Sequence, residues 1–147
     1  MQENCFVNMP MKVILFLLFT LLTGAVAMAQ SRTALDSLDK SYQQCLAARS
    51  GNLYGCVLTY YKGMDSLLQH SYQTLYARLD TARQRSLRVE QQNWEEKKAA
   101  YFDLLDARVG KMEKKTPDGL DDRMISTDNK AAYLRNRVVQ LSVLSNK

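Results

Sequence analysis

The 147-residue chain has a single histidine, His70, and three cysteines, Cys5, Cys45 and Cys56. So small a supply of imidazole excludes a His-Glu-x-x-His metal helix, and a Ser/His/Asp triad would have to rest on His70 alone. His70 falls one step from the apolar face of its predicted helix, the ordinary place of a surface histidine. With Cys5 in the segment expected to be cleaved, two cysteines and the single His70 do not make a zinc ligand set, so no metal and no other cofactor is expected. A phosphate-cradling glycine loop and a nucleophile elbow are both missing. Carboxylate pairs fare no better. Glu95 and Glu96 are adjacent and point about 100° apart on a helix, and Asp118, Asp121 and Asp122 do not follow calcium-loop spacing. No stretch alternates with the period of two that a strand needs, and no segment repeats. These absences leave an all-α chain without a reaction centre.

What is present begins with an export signal. Lys12 precedes the apolar run Val13 to Leu22, which is too short to span a bilayer comfortably, and Ala27-Met28-Ala29 has the form a signal peptidase reads. Residues 1–29 are expected to be cleaved, leaving Gln30 first. Because Glu3 is acidic and nothing before Lys12 is basic, translation can equally start at Met11. No cysteine follows the run, so a lipid anchor is not expected. An uncleaved membrane anchor is the competing reading, and the short run weighs against it. The expected product is exported to the periplasm or beyond the cell, with no stable membrane anchor. It divides into a helical domain, 30–110, and a loop with a C-terminal helix, 111–147.

Cys5 leaves with the signal. Cys45 and Cys56 then have one pairing open to them in an oxidising compartment, a disulfide across a short loop contributing about 3 kcal/mol on the chain-entropy model. The chain carries a formal net charge of +5, unchanged by cleavage because residues 1–29 hold one Glu and one Lys. Acidic residues are interleaved with the basic ones, so the excess reads as a solvated surface and no nucleic-acid partner is expected.

Leu35, Leu38, Tyr42 and Cys45 recur at helical steps and predict a first helix from Thr33 to Ala48. Gly51 suits its C-cap and Asn52 the next N-cap. A second helix, Leu53 to Leu79, carries Val57, Tyr60 or Tyr61, Met64, Leu67 or Leu68, Tyr72, Leu75 and Leu79 on one face. Gly55 and Gly63 weaken it by about 1 kcal/mol each, so tertiary packing must hold it. Asp80-Thr81 offers an N-cap, with Thr81 and Gln84 spaced as a capping box. A third helix runs to about Val109, where Gly110 and the polar stretch after it end it, and it is expected to form a long antiparallel hairpin with the second, to which the short first helix is disulfide-linked. Its inner stripe is Leu87, Gln91, Trp94, Lys98, Tyr101 and Leu105. Asp128 is expected to cap a last helix over Lys130 to Leu144.

Asp65 beside one apolar stripe and Gln91 within another each need a partner, because an unpaired buried polar group costs a few kcal/mol. Either they satisfy helix ends or each other's backbone while Trp94 fills the hairpin core, or the three serve binding. The pattern around them resembles the LprI-type lysozyme-inhibitor family in its N-terminal, cysteine-containing domain. The resemblance rests on Asp65-x-x-Leu68-Gln69-x-x-Tyr72 with Leu75 and Leu79, on Leu87-x-x-x-Gln91-x-x-Trp94, and on Cys45 and Cys56. It covers about Leu38 to Phe102. Gln69 stands where the family usually has asparagine, Lys98 where arginine is common, and Phe102 where a further cysteine is frequent.

The resemblance implies a secreted, non-enzymatic inhibitor that blocks a cell-wall-degrading lysozyme. Asp118, Asp121 and Asp122 are the candidate acidic contacts for a basic target. The alternative is an envelope adaptor that binds an anionic glycan or protein partner through Arg78, Arg83, Arg85, Arg88, Lys97 and Lys98. Asp80, Glu90, Glu95 and Glu96 lie among those cations. Exposed tyrosines such as Tyr54 and Tyr76 would serve a dimer equally well, so the sequence leaves the oligomeric state open.

Overall fold

The structure is a computed structural model and describes residues 32–48, 52–112 and 120–145. The signal segment, the Gly51 cap and the loop 114–119 lie outside these residues. Helix α1 spans 32–47, α2 Leu53–Arg78, α3 Thr81–Met112 and α4 Leu120–Leu144. The described residues contain no strand. The all-α expectation holds, and Cys45 is bonded to Cys56 across a Cα–Cα distance of 5.8 Å.

Side-chain contacts fix the directions. Tyr42 stacks on Tyr60 with ring centres 4.2 Å apart, so α1 runs antiparallel to α2. Arg88 meets Tyr76 while Phe102 meets Tyr61 at the other end, so α3 runs antiparallel to α2. Arg137 meets Glu90 and Lys130 meets Asp106, which turns α4 antiparallel to α3. Helices α2 and α4 are therefore parallel, and they pack along each other more extensively than α4 does along α3. They form a central pair with α1 on one flank and α3 on the other. The geometry of α4 makes this plain: Arg135 reaches Asp39 of α1, whereas Arg137, about 200° further round, reaches α3.

The core lies between the central pair. Met64 and Leu134 are fully enclosed, with Val57, Val138 and Leu141 nearly so, and each such side chain contributes about 1.5–3 kcal/mol on burial. Gly63 has a packing reason that offsets its poor helix propensity. A Cβ there would stand 2.8 Å from Leu38 Cδ2, so the bare backbone lets α1 close on α2. Asn52 caps α2 as expected, its Oδ1 accepting from Gly55 N at 2.9 Å.

Two helix boundaries differ from expectation. Gly110 does not end α3, which continues through it to Met112. Asp128 does not cap α4; the helix starts at Leu120, and Asp128 Oδ1 accepts the Tyr42 hydroxyl at 2.8 Å. The physical cause is small residues. Ser126 and Ala131 are buried, at 6% and 0% exposure, so the helix packs closely where the hydrophobic signal is weakest. Its polar residues satisfy themselves within the helix, Thr127 on Arg123 O and Asn129 on Ile125 O, as helix-interior Thr and Asn do.

Candidate functional site

The pattern residues of α2 and α3 occupy three kinds of place. Leu68, Leu75 and Leu87 are buried core at 3%, 5% and 4% exposure. Tyr72 and Leu79 are half-buried against that core. Asp65 is half-buried at its edge and accepts from Gln69 Nε2 one turn on, at 3.1 Å, while Gln69 itself is exposed. Asp65 and Gln91 do not satisfy each other, since Gln91 finds its partners on α3 and α4.

Those partners are the main discovery of the fold. Arg137 is 2% exposed, a buried guanidinium in the α3–α4 seam. Its Nε and Nη2 both donate to Gln91 Oε1 at 3.0 Å. Its Nη1 donates to Glu90 Oε1 at 2.8 Å and to Gln140 Oε1 at 3.1 Å. The guanidinium carbon lies 5.7 Å from the centre of the Trp94 ring. Gln91 in turn donates to Glu95 at 2.9 Å, Glu95 pairs with Lys98, and Lys98 Nζ also sits 5.2 Å from the Trp94 ring centre. Gln91, Trp94 and Lys98 thus gather around one buried cation that sequence reasoning missed. The available signal was its position: Arg137 falls between Leu134, Val138 and Leu141 on the apolar stripe of α4, as Gln91 does on that of α3.

Aromatic contacts continue the seam. Tyr133 stacks on Trp94 at 5.5 Å and on Tyr101 at 5.0 Å, and Phe102 meets its edge at 6.1 Å. Trp94 is therefore half-buried between helices. It does not fill the α2–α3 hairpin core.

A second polar cluster docks α1. Asp39 accepts a two-pronged bond from Arg135, with Nη2 at 2.6 Å and Nε at 3.0 Å from Oδ2, and it also accepts the Tyr60 hydroxyl. Burial works to raise the Asp39 pKa, but the bonds from Arg135 and Tyr60 outweigh it and hold the carboxyl below its ordinary value. Burial, and then the bond to Asp128, push Tyr42 up to about 12. Tyr60 is raised by burial and then by Asp39. These groups hold helices together.

The basic cluster proposed from the sequence is largely engaged. Arg83 pairs with Asp80 at 3.3 Å on a solvated surface, where water screens the pair and leaves it little stabilising effect. Arg88 donates to Tyr76 and lies over its ring, so Tyr76 is half-buried and not the exposed contact expected. Arg85 and Lys97 face solvent. At the turn, Asp80 caps α3 through Arg83 N at 2.9 Å. Gln84 bypasses Thr81 and donates to Tyr76 O at 3.0 Å, so the predicted Thr81–Gln84 box does not form. Of the three acidic candidates, Asp122 is half-buried in the first turn of α4, and Asp118 and the Asp121 side chain lie outside the described residues. His70 is exposed. Among the described residues no group of His, Cys, Asp or Glu is placed to hold a metal ion, and no helix is long and apolar enough to cross a membrane.

A family model described as Lysozyme inhibitor LprI matches residues 45–141. The match starts at the first cysteine of the disulfide, covers α2 and α3, and runs through most of α4, including Arg137. That is well past Phe102, where the resemblance read from the sequence stops. No curated protein and no solved structure matches the chain.

Proposed function

The chain belongs to the LprI lysozyme-inhibitor family, and from that membership we propose that it is an exported, non-enzymatic protein that blocks a cell-wall-degrading lysozyme by surface contact. Cleavage after Ala29 would release it to the periplasm or the medium. The carrying observation is the extent of the match, which takes in the disulfide, the central helix pair and the buried arginine together. In this reading Gln91 and Trp94 act through packing. They hold α3 against α4, and the outer face of α3, exposed along most of its length, is the surface offered to the target.

The test is a lysis assay in which protein lacking residues 1–29 is titrated against a panel of animal and bacterial lysozymes on peptidoglycan. Slowed lysis by at least one enzyme supports the proposal; unchanged lysis across the panel refutes it. An envelope adaptor binding an anionic glycan is the second reading, and exposed Arg85 and Lys97 favour it. It expects salt-sensitive co-sedimentation with peptidoglycan, and the engagement of Arg83, Arg88 and Lys98 within the fold weakens it.

A further inference from the structure

The four helices are not held alike. Among the described residues of α3, Leu87 and Leu105 alone are buried, about 27 Å apart along the helix, whereas α2 buries eight residues. Between those two leucines α3 meets the rest of the protein through polar and aromatic side chains. Glu90 and Gln91 bond to Arg137, Trp94 and Tyr101 stack on Tyr133, and Phe102 meets Tyr61. Half-buried aromatics with arginine are the composition of an interface between separate proteins more than that of a core. The backbones agree. Helices α2 and α4 pack closely, α3 approaches α4 much less, and among the described residues it comes near α2 almost nowhere.

The bonds that tie the other helices together bypass α3. The disulfide joins α1 to α2. Asp39 of α1 accepts from Arg135 of α4 and from Tyr60 of α2, and Tyr42 bonds to Asp128 of α4. Lifting α3 away would leave every one of these in place.

We propose that α3 is a strap, which opens as one unit while α1, α2 and α4 stay packed on one another. Local openings of lowest free energy belong to the elements with the fewest buried apolar contacts, and α3 is that element. The buried cation does not oppose the motion. Arg137 lies in the seam itself, so when α3 leaves, its guanidinium passes from Gln91 and Glu90 to water and is never enclosed without a partner. Opening uncovers the stripe of α2 that starts at Tyr61, with Leu68, Tyr72 and Leu79 following at steps of seven, four and seven. The lifted helix is then on its own, and an isolated helix is marginal in water, so its amides lose protection. The device does not depend on which target the protein meets.

Native-state hydrogen exchange of protein lacking residues 1–29, in water and at low urea, tests it. The amides of Gln91, Trp94 and Lys98 should be at least about a hundredfold less protected than those of Met64 and Leu134, and their protection should fall less steeply with urea, because opening α3 exposes less surface than unfolding the whole protein. Leu67→Val supplies the discriminating variant. Leu67 is buried one turn on from Gly63, on the side of α2 that Leu38 closes over, away from α3. Removing one methylene there weakens the closed and the strap-open states equally. Protection of Met64 and Leu134 should fall about fivefold, while that of the α3 amides stays within about twofold. Amides of α3 as well protected as those of α2 and α4, or falling in step with them in Leu67→Val, would overturn the proposal.

Discussion

Replacing Arg137 and Gln91 separately and together tests the buried seam, and the expected order of effects is not the intuitive one. The guanidinium is 3% exposed, but its carboxylate partner Glu90 is 53% exposed. Arg137→Met therefore strands no buried charge. Glu90 returns to water, Gln140 is exposed, and Gln91 keeps its bond to Glu95. What remains is one half-buried amide oxygen without a donor, a loss of about 1–2 kcal/mol. Gln91→Leu does the opposite. It removes the acceptor of two guanidinium bonds while the cation stays enclosed beside Leu134 and Val138 and keeps Glu90, which should cost about 3 kcal/mol, the upper end for leaving buried donors without an acceptor. In the double variant the cation is gone and Leu faces Met, so the losses should not add. The coupling should be about 1.5–3 kcal/mol. Urea unfolding followed by circular dichroism gives all four free energies. Additivity within about 0.5 kcal/mol, or Arg137→Met costing more than Gln91→Leu, would refute the assigned geometry.

Reducing the Cys45–Cys56 bond, or replacing both residues with Ser, should lower stability by about 3 kcal/mol, read as a lower urea midpoint; an unchanged midpoint would mean that the non-covalent docking of α1 suffices. Gly110→Ala should raise stability by about 0.5–1 kcal/mol, because the position is helical and a Cβ there meets nothing within 4 Å; the melting temperature checks it. The docking of α1 should loosen in acid. The Asp39 pKa is lowered in the folded protein, so its contribution is complete above the ordinary carboxylate pKa and is lost as pH falls through the depressed value. Protection of residues 32–47 from hydrogen exchange, taken relative to the intrinsic rate at each pH, should fall below about pH 4, and Asp39→Asn should remove that dependence. Tyr42 gives the opposite sign: its raised pKa favours the folded state up to about pH 10, and that contribution is lost toward about 12.

Most of the fold could be read from the sequence because its signals are periodic and local. Val57, Tyr60, Met64, Leu68 and Leu75 recur at helical steps, and Asn52 and Asp80 are capping residues in capping places. The failures share one cause. At packed positions the chain uses Ser126, Ala131 and Gly63, which carry little hydrophobic signal, so the sequence pattern does not reveal the first two turns of α4 and Asp128 resembles a cap. The seam was half visible. Gln91 and Lys98 on an apolar stripe announced that a partner was needed, but the partner lies on another helix 46 residues away, and nothing local to α3 names it. A buried arginine is also the least expected core residue, since its burial is tolerable only once all its donors are met.

The charge of the chain separates the inhibitor from the adaptor more cleanly than any substitution. The family pattern is spent largely on holding helices together, so it specifies a scaffold; what the scaffold touches must be set by its exposed surface, which is mildly basic. Five positive charges facing a lysozyme of similar charge at about 40 Å repel by about 2.6 kcal/mol without salt. With a Debye length near 30 Å at 0.01 M that falls to about 0.7 kcal/mol, and near 8 Å at 0.15 M it vanishes. Association with a basic lysozyme should therefore quicken about threefold between those salt concentrations, as stopped-flow mixing would show. Binding to an anionic glycan must weaken over the same range, because there salt screens an attraction. An association rate that falls with added salt would mean that the basic face makes the contact, and the reading would pass from inhibitor to adaptor.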